Sequence, residues 1–106
     1  MQTPPVETSD GCIRLDGELI MQRAEQIRPL LLASLPTDGS VARLDLSQVS
    51  EIDAAGLQLL MAATREVLSR GTTLQIVAAS QAVRETFELF RLDALLVPAQ
   101  AAQARP

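Results

Sequence analysis

Residues 41–60, VARLDLSQVSEIDAAGLQLL, change hydrophobic period within one stretch, and nothing else in the chain limits the fold as tightly. Ala42, Leu44 and Leu46 alternate with Val41, Arg43 and Asp45, the period-2 pattern of a strand that buries one side. Leu57, Leu60, Met61, Thr64 and Leu68 then recur at helical steps and are expected to form the core stripe of a helix. Asp53 stands between the two patterns. Its carboxylate can accept from the free N–H of Ala55 or of Gly56, which makes it the expected N-cap. Glycine in a first helical turn costs roughly 0.5–1 kcal/mol against alanine. Gly56 therefore signals the close approach of a second backbone, either the protein's own or a partner's.

What the sequence lacks narrows the chemistry. There is no histidine and only one cysteine, Cys12, so a Ser/His/Asp or Cys/His arrangement cannot be assembled and the usual zinc ligand sets are out of reach. Asp45, Glu51 and Asp53 have no glycine-rich phosphate loop or ligand cluster beside them to make a catalytic pair. No catalytic residue, metal site or cofactor is expected. The formal charge of −4, with no basic run, argues against nucleic acid or an anionic membrane surface as partner. No apolar run reaches membrane-spanning length, so direct membrane insertion is not expected. One cysteine cannot form an internal disulfide, and no leader pattern precedes the first strand, so a cytoplasmic location is expected.

In chain order, residues 1–5 read as a flexible terminus and residues 6–98 as one domain, a size able to bury a single core. Val6–Thr8, the turn signal Ser9-Asp10-Gly11 and Cys12–Leu15 predict a hairpin that closes over Asp16–Glu18. Ile20, Ala24, Ile27 and Leu31, widened by Leu30 and Leu35, predict the first helix; Pro29 inside it implies either a kink or a restart. PTDGS at 36–40 is a loop, and Gly71 after Arg70 ends the second helix. Leu74, Ile76 and Ala78 alternate as a further strand. Ser80 caps a third helix in which Val83, Phe87 and Phe90 face the core and Leu89 lies at the edge. Leu95–Val97 is either an edge strand or an extended end, and AQAAQARP at 99–106 is expected to be a disordered tail. Strands joined through whole helices favour parallel neighbours, and their alternating patterns place helices mainly on one face of a mixed α/β sheet.

The run LDLSQVSEIDAAGLQLL, then RGTTLQIVAAS and AVRETFELFRLDALL, resembles the STAS domain, the fold of bacterial anti-sigma-factor antagonists. Gly17, Glu18 and Leu19 match the GEL before the first helix of many members. The likeness covers Gly11 to Val97 and implies a single STAS-like domain with a mixed four- to five-stranded sheet. Within the family the sequence is most similar to small proteins linked to chemotaxis and two-component signalling, and also to the STAS subunit of a phospholipid-transport ABC system. The resemblance implies a non-catalytic interaction module whose partner is a regulatory kinase of the anti-sigma or chemotaxis type, or else an ABC ATPase.

The expected partner-binding residues are Ser50, Glu51, Asp53, Ala54, Ala55, Gly56 and Gln58, on a loop from Gln48 to Gly56 and the exposed side of the second helix, with Arg65 beside them. Phosphoregulated members carry serine or threonine in the two positions after the aspartate. Here those positions are Ala54 and Ala55, so the usual phospho-acceptor is absent, and with it the charge of about −1.5 to −2 that a phosphate adds. Ile20, Met21 and Gln22 replace the Asp- or Thr-bearing continuation of GEL, so nucleotide-associated contacts are not carried over there.

Overall fold

In the computed structural model, which describes residues 4–92, the expected hairpin comes first. β1 (Val6–Ser9) and β2 (Cys12–Leu19) pair antiparallel across Asp10 and Gly11, both at positive φ as a tight hairpin turn requires. Then follow α1 (Met21–Ser34), β3 (Ala42–Ile52), α2 (Ala54–Ser69), β4 (Leu74–Ala79) and α3 (Gln81–Leu89). The sheet order is β1-β2-β3-β4, with β2/β3 and β3/β4 parallel.

That order explains the one-sided packing. Two successive crossovers of the same hand, stepping the same way across the sheet, leave α1 and α2 on the same face. Ala42, Leu44 and Leu46 of β3 join Ile27 and Leu31 of α1, Val67 of α2 and Val83 and Phe87 of α3 in one core cluster, while Arg43 and Ser47 on the other side of β3 are exposed. Arg70 ties the far end together: its guanidinium bonds Glu66 and the carbonyl of Pro36, at 3.1 and 3.0 Å.

Several expectations need correction. β2 continues to Leu19 and β3 to Ile52, so the segment expected to be a loop from Gln48 is strand, and only Asp53 separates it from α2. The cause lies in the pairing. Between Arg14↔Asp45 and Asp16↔Gln48, and again between Gly17↔Val49 and Glu18↔Glu51, β3 advances one residue more than β2. Each such bulge shifts the alternation by one, so the buried positions run Leu46, Val49, Ile52 at steps of three and the period-2 signal vanishes while the strand goes on. A similar irregularity on β4 puts Ala79 rather than Ala78 in the core.

The α2 stripe is also rotated. Gly56, Leu59, Leu60, Ala63 and Val67 face the core, whereas Met61 and Leu68, expected inside, are exposed. In AAGLQLLMAA only Gln58 is polar, so the apolar pattern alone could not set the helix phase. Leu30 and Phe90 likewise lie at the surface, as does Leu89, which was expected only at the edge. Helix α1 runs through Pro29 without restarting, with Pro29 on its exposed side. The expectations for residues 1–3, for Leu95–Val97 and for 99–106 lie outside the described residues.

Candidate functional site

At the carboxyl ends of the parallel strands β2 and β3, two strand-to-helix turns lie side by side, and Asp53 joins them. Its backbone N–H donates to the Leu19 carbonyl at 3.2 Å, and its own carbonyl accepts the first helical bond of α2 from Leu57 at 3.0 Å. Carboxylate Oδ1 accepts from the Gly56 N–H at 3.1 Å, which is the cap expected from sequence. Oδ2 accepts from the Met21 N–H at 3.0 Å, at the first residue of α1. One carboxylate thus caps two helices. Neither helix has an acidic residue in its first turn, so Asp53 is the anion that both positive helix ends share. These donors, Met21 first and then Gly56 and Ala55, hold the Asp53 carboxyl below its ordinary value against a partial desolvation that opposes them.

Gly56 is buried. A Cβ there would strike the Leu19 carbonyl oxygen and come within 2.8 Å of Ile52 Cγ1. The second backbone that its glycine signals is therefore the protein's own, and Gly56 serves the expected partner surface by letting α2 lie against β2 rather than by touching a partner.

The other expected residues divide by exposure. Ala54 and Gln58 are exposed on α2, and Ala55 is half-buried. Ser50 and Glu51 are exposed too, but on the last residues of β3 rather than on a loop. Glu51 is the register partner of Glu18, also exposed, so two carboxylates stand next to each other at this end of the sheet. Gly17 takes a φ of +94°, and the Arg23 guanidinium lies over it and donates to the Glu18 carbonyl at 3.0 Å. Met21, 67% exposed beside Asp53, stands in the sequence only as part of the altered continuation of GEL, because its link to the site is a contact between residues 32 apart; Arg23, which bonds Glu18 five residues away, was not singled out.

The arrangement suits recognition. Both Asp53 oxygens already accept backbone donors, so its carboxylate is ionised and occupied rather than poised to take a proton from a substrate. The Cys12 thiol is pushed up, first by burial and then by Asp45, which leaves it a weak nucleophile. Among the described residues no group of three or more Asp, Glu, Cys or His could hold a metal ion, and no helix is long and apolar enough to cross a membrane.

A family model described as "Mlab, STAS domain" matches residues 5–98. Among solved structures, the chain is similar to an anti-sigma factor antagonist from Mycobacterium paratuberculosis, with 30% identity, a TM-score of 0.68 and coverage of 93% of this chain and 89% of that one. It is also similar to the anti-sigma factor antagonist SpoIIAA in its unphosphorylated form, at 22% identity and a TM-score of 0.67, over 87% of this chain and 84% of that one. The phosphorylated form of SpoIIAA, a Bacillus cell fate determinant, gives 23% identity and a TM-score of 0.62 over 87% and 86%. The two SpoIIAA likenesses bear on the fold alone.

Proposed function

The chain belongs to the STAS domain family, and from that premise we propose that it is a non-catalytic interaction module of the anti-sigma-factor-antagonist type, binding a regulatory kinase of the anti-sigma or chemotaxis type. The contact surface is the head of α2 with the adjoining strand end: Ser50, Glu51, Asp53, Ala54 and Gln58, with Ala55 at the edge. The observation that carries this reading is the pair Ala54 and Ala55 in the first turn of a helix whose start is fixed by Asp53 from two sides. Small side chains leave a flat, preformed shelf, and a preformed surface loses little entropy on docking. With no hydroxyl at either position, the shelf keeps its charge when the kinase turns over ATP, so binding is constitutive or set by partner abundance.

The test is incubation with the partner kinase and ATP, followed by mass spectrometry. No phosphate is expected on the native chain at the α2 head, whereas Ala55→Ser is expected to become a substrate. Stoichiometric phosphate on native Ser50, the only hydroxyl from Gln48 to Gly56, would overturn the claim of an absent switch.

A second reading is favoured by the description of the matching family model, which names Mlab. On it the chain is an accessory STAS subunit of a phospholipid-transport ABC system, with an ATPase on the same shelf. Co-purification of a tagged chain with an ABC ATPase, and with no kinase, would select this reading over the first.

A further inference from the structure

Along the outside of the molecule α1 and α2 leave a furrow between them. A cavity of about 150 Å³ opens at Ala24, Ala55 and Gln58 and adjoins one of about 360 Å³ between Arg28 and Arg65, while a third of about 200 Å³, against Met61 and Leu92, touches α2 but not α1. The first two share Arg28 and Gln58 and make up the furrow between the helices. On α2 it runs from Ala55 to Arg65, ten steps of about 1.5 Å, or about 15 Å. That is the length of a three-turn helix.

Four of the eight described arginines are already engaged. Arg14, Arg23, Arg70 and Arg84 each hold a carboxylate or a carbonyl. Arg28 and Arg65 are exposed, and their guanidinium groups, like those of Arg43 and Arg91 elsewhere on the surface, make no hydrogen bond or ion pair among the described residues; what distinguishes Arg28 and Arg65 is that they line one cavity together. With Glu25 they give the furrow a positive lip on a chain whose formal charge is −4. Met61 is 44% exposed between them and supplies an adaptable apolar floor. Guanidinium groups without partners beside an apolar strip match a ligand that carries carboxylates along the edge of an apolar face.

We propose that this furrow docks an acidic amphipathic helix of a partner protein, with Arg28 and Arg65 pairing its carboxylates and Met61 meeting its apolar face. A second copy of the chain is the poorer occupant, because a two-fold contact here would set the arginine-lined face against itself. The inference rests on the reading that this side of the molecule binds a protein, and adds which part of the partner it takes.

The probe is a fluorescein-labelled, helix-stabilised peptide of about three turns, with leucines at helical spacing and glutamates flanking them. A second peptide carries lysines in place of the glutamates, and a third has the acidic composition scrambled to remove the apolar face. Anisotropy with the full chain is expected to show saturable binding of the first peptide only, weakening as salt rises and by about tenfold or more in R28E/R65E. Amide shifts of Ala24, Gln58 and Arg65 are expected to move on titration. Equal binding of the lysine or scrambled peptide, unchanged affinity of R28E/R65E with native circular dichroism, or shift changes confined to the sheet would each overturn the proposal. Ala54→Glu, which alters the shelf and not the furrow, separates the two claims. If it abolishes kinase capture but leaves peptide binding intact, both stand. If the peptide binds and no kinase is ever captured, the functional reading fails alone.

Discussion

The turns from β2 to α1 and from β3 to α2 have the same topology and lie next to each other, yet they are built differently. The second is self-sufficient: Asp53 ends the strand, caps the helix through Oδ1 and precedes the Gly56 that allows close packing. The first has Ile20 at its N-cap position, with no side-chain cap of its own, and takes the other oxygen of Asp53. A third turn, from β4 to α3, is the control, because Ser80 caps only its own helix, accepting from the Val83 N–H at 3.2 Å. Helix starts in this molecule are thus not equivalent. One of the three depends on a residue distant in sequence, and that dependence couples the position of α1 to the head of α2.

The largest expected effect removes the close approach on which the coupling rests. Gly56→Val places a branched side chain against the Leu19 carbonyl and Ile52. The clash is with backbone, which cannot rotate aside, so the modest gain in helix propensity does not compensate. A loss of about 3 kcal/mol is expected in urea unfolding, the upper end of the usual overpacking cost. A variant as stable as the parent would mean that α2 does not lie against β2 as described.

Next in size is Asp53→Ala measured beside Ser80→Ala. A single cap contributes about 1 kcal/mol, so the serine variant is expected to lose about that much and the aspartate variant about 2 kcal/mol. The ratio matters more than either value. If the two substitutions cost the same, the Met21 bond adds nothing and the two turns are independent.

The difference between the turns also marks what could be read in the sequence. Asp53 and Ser80 were legible as caps because a cap and its helix are neighbours in the chain, and the one-sided sheet was legible in the alternation of Ala42, Leu44 and Leu46. The Met21 bond was not, since a contact across the sheet leaves no local pattern. The strand from Ser47 to Ile52 was hidden by two bulges that turn its period from two to three. The phase of α2 was hidden by a helix start that is apolar on nearly every side. Of the site, the type and place of its central residues could be read, but not that Gly56 faces inward or that Ser50 and Glu51 end a strand.

The finest test of the comparison is Asp53→Asn, which separates the two oxygens. An amide keeps one acceptor and turns the other position into a donor, so it can cap α2 or α1 but not both. About half of the alanine effect, near 1 kcal/mol, is expected at neutral pH. The pH dependence then identifies the ionised carboxylate as the cause. The folded Asp53 carboxyl titrates below its ordinary value of 3.8, with the Met21 N–H the leading reason, so its stabilisation is present above that value and is lost as pH falls through the lower one. Urea midpoints measured from pH 7 down to about pH 3 should therefore fall less steeply in Asp53→Asn than in the parent. Asp38, lowered by its bonds to Ser40 in an exposed loop, remains in both proteins and contributes the same acid limb to each. Parallel limbs would mean that the charge on Asp53 does not strengthen its two bonds, and that the turns are joined by geometry alone.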